Sequence, residues 1–169
     1  MRTCGILERS SAVSAENDIH EQIRQRMNQI HDYAPESIGD ILQLSLLEVD
    51  RAQNLYTFQC HTASWMRNPA GTLHGGMCAT ILDQAMGLMA YCVKPGEGIA
   101  PAISLNLSYH RPLIPGEDVI IRVCVVSVTK SLISVRSEAS AASAPDRLCV
   151  SGTGTYFYRH VGNGHVKNP

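Results

Sequence analysis

Charge of either sign is scarce in this sequence, and the scarcity argues against two classes of protein. Charged residues make up 17% of the 169 residues, below the roughly 25% usual for soluble domains, which argues against a disordered chain. Lysine and arginine number 14 against 15 aspartates and glutamates. No broad positive field is therefore present to attract a polyanion, and we expect no nucleic-acid partner.

Long apolar runs and paired cysteines are missing as well. The longest apolar candidate, 86–93, has eight residues, whereas a membrane span needs about 18. The apolar piece 5–7 is too short for the core of a secretory signal. The six cysteines form no Cys-x-x-Cys pair, and neither they nor the seven histidines show the short spacings of zinc ligands. We expect a soluble, cytoplasmic protein with free thiols, no membrane partner, no metal and no cofactor.

The length indicates a single domain, because domains typically contain about 100 to 200 residues. We expect a disordered segment at residues 1–14, one domain over residues 15–160 and a frayed tail at 161–169. Ser14 is placed to cap a helix over 15–31, in which Ile19, Ile23, Met27 and Ile30 form one apolar stripe.

Hydrophobic periodicity predicts a second helix and six strands in the remaining chain. The helix spans 75–91, and the strands are expected at 42–49, 55–60, 103–110, 119–128, 132–139 and 148–158. Strands and helices do not alternate, and no G-x-G-x-x-G or G-x-x-x-x-G-K motif is present, which excludes a Rossmann domain and a phosphate loop. The order favours an α+β fold in which an antiparallel sheet packs on a long buried helix, with an extra N-terminal helix.

Asp83 is the residue that points to chemistry. It lies within the helix over 75–91, which is apolar around more than half of its circumference, and an ionised carboxylate without partners is costly there. Its neighbours on the same side of the helix are all small: Gly76, Ala79, Thr80, Gly87 and Ala90. This stripe predicts a surface where a second backbone or a slender ligand comes close to the acid.

Gly75 and Gly76 begin the same helix, where the first N–H groups lack intrahelical acceptors and the helix dipole is positive. Such N–H groups can bind an oxyanion. Asp83 lies about 12 Å further along, at 1.5 Å per residue, so the acid and the helix tip of one chain cannot easily reach the same substrate atom. In a twofold dimer the tip of one helix can lie beside the middle of the other, which gives two composite sites.

The segment from Asn68 through His74-Gly75-Gly76 to Asp83 resembles the hot-dog-fold acyl-CoA thioesterases of the phenylacetic-acid-degradation (PaaI) type, including the acyl-CoA thioesterase 13 group. The resemblance runs over 68–158, with Asn-Leu-Ser-Tyr at 106–109 and Pro-Gly-Glu-Asp at 115–118 matching the strand and turn after the helix. It implies a long helix wrapped by an antiparallel sheet. It also implies homodimers whose sheets join, often paired again into tetramers.

The resemblance implies a role for each residue of the motif. Asp83 matches the acid that acts as general base on water or as nucleophile at the thioester carbonyl. Gly75 matches the residue whose backbone N–H polarises that carbonyl. Asn68 matches the asparagine that orients water or the thioester, and His74 the histidine on the sulfur and carbonyl side.

The sequence departs from the family at one position. Where some relatives have a serine or threonine that helps to position the water, the register from Asn106 gives Ala102. Ser104, two residues on and expected on the same strand face, is a possible substitute. Together with Gly76, these two residues complete the expected substrate contacts.

The implied function is hydrolysis of an acyl-CoA or aryl-CoA thioester. One alternative, a hot-dog hydratase or dehydratase, has its histidine and acid at other spacings, which this sequence lacks. A second alternative is a non-catalytic acyl-CoA-binding dimer, which Ala102 keeps open. The acyl group, the choice between coenzyme A and acyl-carrier-protein thioesters, and dimer against tetramer are open at this level.

Overall fold

A computed structural model describes residues 12–94 and 98–160 of the chain. The first helix, α1, spans Ala12–Tyr33, so Ser14 lies within the helix and the expectation that it caps the helix is wrong. Residues 1–11 of the expected disordered segment and the expected tail at 161–169 lie outside the described residues. The single domain over 15–160 stays a prediction.

Six antiparallel strands form one sheet, and a long helix packs against it. In chain order the elements are α2 (Ile38–Leu42), β1 (Ser45–Asp50), β2 (Leu55–His61), α3 (Gly75–Cys92), β3 (Gly98–Ile99), β4 (Ala102–Tyr109), β5 (Asp118–Val128), β6 (Leu132–Ala141), β7 (Val150–Phe157) and β8 (Arg159–His160). The spatial order of the sheet is β1-β2-β5-β6-β7-β4, and β3 pairs separately with β8. The expected α+β arrangement is confirmed.

The core lies between α3 and the inner face of the sheet. Strand residues with period-two spacing face inward, as Val119, Ile121 and Val123 do on β5. They meet α3 residues that have no exposed surface: Ile81, Leu82, Ala85, Met86 and Met89. Helix α1 contacts α3 as well, with Ile23 fully buried. Because both the sheet and α1 cover it, α3 is apolar around most of its circumference.

The start of the first predicted strand is wrong by three residues. Leu42 ends the short helix α2, and β1 begins only at Ser45. The reason is local: the Ser37 hydroxyl accepts the Asp40 N–H and caps α2, and Gln43 takes a left-handed conformation that ends it. None of the helices in the described ranges is long and apolar enough to cross a membrane.

Candidate active site

His74 forms the N-cap of α3 in an extended backbone conformation. Its ring Nδ1 accepts the Gly76 N–H at 2.9 Å. In this hydrogen bond Nδ1 is the acceptor, which leaves Nε2 as the ring nitrogen that can donate. His74 thus shapes the helix start, and its exposed ring also presents a donor to the outside.

Gly75 is the first residue of α3, and its N–H has no acceptor within the described part of the chain. The Tyr109 hydroxyl donates to the Gly75 carbonyl at 2.9 Å. A Cβ added at Gly75 would lie 3.5 Å from the Tyr109 ring, so the ring stacks directly on this residue. Burial raises the pKa of Tyr109 above its ordinary value, with a smaller contribution from Cys78. The phenol therefore stays protonated and holds the Gly75–Gly76 peptide, which directly follows the free Gly75 N–H.

Asn68 closes the loop in front of α3. Its side-chain Nδ2 donates to the Thr72 hydroxyl at 2.8 Å, and its Oδ1 accepts the Thr72 N–H at 3.2 Å. Gly71 completes the turn with φ of +82°, a conformation that favours glycine. The amide is thus engaged within its own loop, and the role that the resemblance implies for Asn68 stays a prediction.

A pocket of about 380 Å³ opens beside the tip of α3, and Asn68, Gly75 and Tyr109 contribute to its wall. This volume lies within the roughly 300 to 1,000 Å³ usual for small-molecule sites. Asp83 does not line the pocket, because it lies more than two helical turns further along α3. One chain therefore brings Asn68 and Gly75 together but keeps Asp83 apart from them.

Asp83 is partly exposed, on the side of α3 where the small residues form an accessible surface. Of the predicted stripe, Ala90 is buried, and the members with exposed surface are Gly76, Ala79, Thr80 and Gly87. The carboxylate therefore faces a surface that a second backbone or a ligand can approach.

Tyr156 contacts this carboxylate. From β7 its hydroxyl donates to Asp83 Oδ1 at 2.8 Å and lies 3.3 Å from the Asp83 main-chain oxygen. The Tyr156 side chain is 1% exposed. Burial, the nearby negative charge of Asp83 and the hydrogen bond to it all raise the pKa of Tyr156 far above its ordinary value. Tyr156 is therefore a fixed donor and Asp83 its acceptor.

A β-bulge at Ile103 separates the two other expected contacts. Ala102 pairs with Tyr156, and Ser104 pairs with Thr155, with the register shift between them. Cross-strand partners share a face of the sheet, and successive residues of β7 point to opposite faces. Ala102 therefore lies on the face of Tyr156 and Ser104 on the other, so the expectation that the two share a face is wrong.

A smaller cavity of about 150 Å³ lies between α1, α2 and α3. Met27 and Ile30 of α1 and Leu88 of α3 supply apolar wall, and Gln84, the neighbour of Asp83, also lines it. The N-terminal helix thus borders a cavity next to the acid. Within residues 12–94 and 98–160, no three His, Cys, Asp or Glu side chains are grouped so as to hold a metal ion.

Residues 70–151 match the sequence profile of the Thioesterase superfamily. The similarity covers 82 residues, just under half of the chain. Over 98 residues the chain is 34% identical to acyl-coenzyme A thioesterase 13 of Homo sapiens, an alignment that covers 57% of this chain and 65% of that protein. The chain thus spans just under two thirds of the length of this curated relative.

Two solved structures show the fold. The PaaI protein of the Escherichia coli phenylacetic acid degradation operon superimposes with a TM-score of 0.68 at 14% identity, covering 85% of this chain and 96% of that one. A Streptococcus mutans protein bound to acetyl CoA gives a TM-score of 0.59 at 17% identity, covering 69% and 89%. The expected hot-dog fold is confirmed.

The segment that matches the superfamily contains some residues of the candidate site, and others lie outside it. Gly75, Asp83 and Ala102 lie within residues 70–151. Asn68 precedes the matched segment and Tyr156 follows it. The sequence pattern over 68–83 identified Asn68, His74, Gly75 and Asp83. Tyr156 and the Tyr109 hydroxyl became visible only through their hydrogen bonds.

Proposed function

We propose that this chain hydrolyses acyl-CoA or aryl-CoA thioesters at sites formed between two copies. The observation that carries the proposal is the Asp83 carboxylate, held by Tyr156 on an accessible face of α3. The match to the Thioesterase superfamily, the similarity to acyl-coenzyme A thioesterase 13 and the relative solved with acetyl CoA support the substrate class.

The chemistry needs one base and one oxyanion donor. Asp83 takes a proton from water, whose oxygen then bonds to the thioester carbon, or the carboxylate bonds to that carbon directly. The carbonyl oxygen becomes an oxyanion and accepts a hydrogen bond from the Gly75 N–H. The carbon–sulfur bond then breaks and the thiolate leaves, which is easy because thiols ionise near a pKa of about 8.5. On the general-base route the proton on Asp83 passes to the thiolate or to solvent. On the nucleophilic route a water hydrolyses the acyl–Asp83 anhydride, which releases the acid and restores the carboxylate. The base contributes roughly 10²- to 10⁴-fold and the donor about 10²- to 10³-fold.

A second copy of the chain brings these groups together. Among the strands of the described residues, β4 ends the sheet and pairs with β7 alone. Most of its residues are exposed, including Ile103 at 58%. An open edge strand beside the accessible face of α3 suits a twofold partner that joins edge to edge. In such a dimer, Gly75 of one copy faces Asp83 of the other.

The compartment that we propose is the cytoplasm, where thiols stay reduced. The cysteines within the described ranges are all free: Cys60, Cys78, Cys92, Cys124 and Cys149. An enzyme that acts on coenzyme A thioesters also finds its substrate there.

The test is thiol release from short, medium, long and aromatic acyl-CoAs by wild type and by Asp83→Asn. The amide keeps the shape of the side chain and removes the base, so we expect a loss of about a hundredfold or more in kcat. Asp146→Asn, the same change in an exposed loop, is the matched control and should retain wild-type kcat. Unchanged kcat in Asp83→Asn would exclude Asp83 as the base or nucleophile.

The alternative is a dimer that binds acyl-CoA without hydrolysing it. Ala102 favours this alternative, because it removes a hydroxyl that some thioesterases use. Binding of acyl-CoA by calorimetry, without thiol release from any of the tested thioesters, would replace the hydrolase by this function.

A further inference from the structure

We propose that Tyr156 is a positioning residue, which holds the Asp83 carboxylate in the orientation that hydrolysis requires. The inference rests on the proposed function, in which Asp83 is the reacting acid. No motif includes Tyr156, and it lies beyond the segment that matches the superfamily.

The Tyr156 ring occupies a slot that two glycines leave open. A Cβ added at Gly154, two residues earlier on β7, would lie 2.7 Å from the ring, closer than real Cβ atoms approach. A Cβ at Gly87 on α3 would lie 3.4 Å from the other edge of the ring. The ring is therefore confined between strand and helix, and its hydroxyl can reach only a narrow region around Asp83.

Tyr156 also stands opposite the position at which the sequence departs from its relatives. Ala102 is its cross-strand partner, so both side chains lie on the same face of the sheet, with Cβ atoms about 5 Å apart. A serine or threonine at Ala102 would offer a hydroxyl on this face. Here the Tyr156 hydroxyl is present on the same face and donates to the acid.

The bond restricts the carboxylate in a useful way. Tyr156 donates to Oδ1, which fixes the rotation of the carboxyl group and leaves Oδ2 to take the proton of the water. The bond is charge-assisted and buried on the tyrosine side, the setting in which hydrogen bonds are strongest. Tyr156 itself keeps its proton throughout and does not touch the substrate.

The test compares Tyr156→Phe with Tyr56→Phe. Both remove one hydroxyl from a buried ring, but Tyr56 lies on β2, which β5 and β6 separate from β7 in the sheet. We expect Tyr156→Phe to lower kcat by about 10- to 100-fold, the range for a hydrogen bond to a charged group, with KM within about twofold. Tyr56→Phe should match wild type in both quantities.

A double mutant shows whether Tyr156 acts through the acid. In Tyr156→Phe/Asp83→Asn we expect the kcat of Asp83→Asn alone, because the donor has no carboxylate left to hold. A further tenfold loss in the double mutant would overturn the positioning role. So would a Tyr156→Phe enzyme with wild-type kcat and KM, while Asp83→Asn is inactive. If Asp83→Asn itself stays active, the proposed function fails first, and the inference falls with it.

Discussion

Replacing Gly75 by proline would remove the N–H from the proposed oxyanion site and put a ring methylene in its place, while the start of the helix should be retained. Proline lacks the N–H, and it is favoured at the first position of a helix, where that group has no intrahelical acceptor anyway. Residue 74 must tolerate a following proline, and it does: His74 has φ of −62° and ψ of 136°, in the extended region that a pre-proline residue prefers. The Gly75 carbonyl that accepts from Tyr109 is retained.

The magnitudes follow from this geometry. Loss of a single oxyanion donor typically lowers kcat by about 10²- to 10³-fold, or about 2.7 to 4 kcal/mol of transition-state stabilisation. Stability should change by less than about 1 kcal/mol, since no intrahelical hydrogen bond is lost, which corresponds to no more than about 4 °C in Tm for a chain of this size. Gly75→Ala is the matched control, because it keeps the N–H and its Cβ would stand 3.5 Å from the Tyr109 ring, an ordinary contact.

The assay is thiol release at saturating acyl-CoA, with Tm measured by calorimetry on the same samples. We expect Gly75→Ala to stay within about threefold of wild-type kcat while Gly75→Pro loses the full donor contribution. A folded Gly75→Pro enzyme with wild-type kcat would refute the oxyanion role of this N–H. Equal losses in both variants would show that bulk at the helix tip, and not the missing donor, is responsible.

Three further predictions concern the sheet and the core. Gly154→Ala places a Cβ 2.7 Å from the buried Tyr156 ring. Overpacking of this kind costs about 1 to 3 kcal/mol, so calorimetry should show a Tm lowered by about 2 to 12 °C. An unchanged Tm would contradict the confinement of the ring. Burial raises the pKa of Cys60 and Cys78 to about 11 and that of Cys92 to about 12. Because the thiols ionise at lower pH in the unfolded chain, these cysteines leave the free energy of unfolding unchanged below pH 9 and lower it as the pH rises from 9 towards 12. Urea midpoints measured in reductant at about pH 8 and about pH 10 test this, and equal midpoints would contradict it. Ile103→Glu on the open edge of β4 should shift size-exclusion elution towards the monomer, whereas Leu47→Glu, exposed on the strand at the opposite edge, should elute as wild type; an unshifted Ile103→Glu protein would place the interface elsewhere.

Much of the fold could be predicted because its signals are local. The period of 3.6 over 75–91 and the period of two in the later strands directly reflect which side chains face the core. The start of β1 could not be predicted, because the Ser37 cap and the left-handed Gln43 extend a helix into an apolar run that also suits a strand. The bulge at Ile103 was likewise invisible, since one extra residue leaves the alternation of β4 intact in the sequence while reversing the face of Ala102.

The sequence likewise indicates some residues of the candidate site and not others. Asp83 stands out in the sequence because an ionised carboxylate without partners is costly in an apolar helix. Gly75 stands out because the first N–H groups of a helix lack intrahelical acceptors. Tyr156 does not stand out, because it lies 73 positions from Asp83 and looks like any inward-facing strand aromatic. Its role depends on the pairing of β7 with β4 and on the space at Gly154, which only the assembled sheet defines.

The central claim is that each site combines Gly75 of one copy with Asp83 of the other, and subunit mixing tests it most directly. Asp83→Asn and Gly75→Pro are each expected to be nearly inactive as homodimers. In a mixed dimer, the intact Gly75 of the first and the intact Asp83 of the second would meet in one functional site. Mixing equal amounts after reversible dissociation should therefore restore about a quarter of wild-type activity per chain, because half of the dimers are mixed and each carries one intact site of two. Activity that stays at the sum of the two variants, with mixed dimers present, would contradict the composite site.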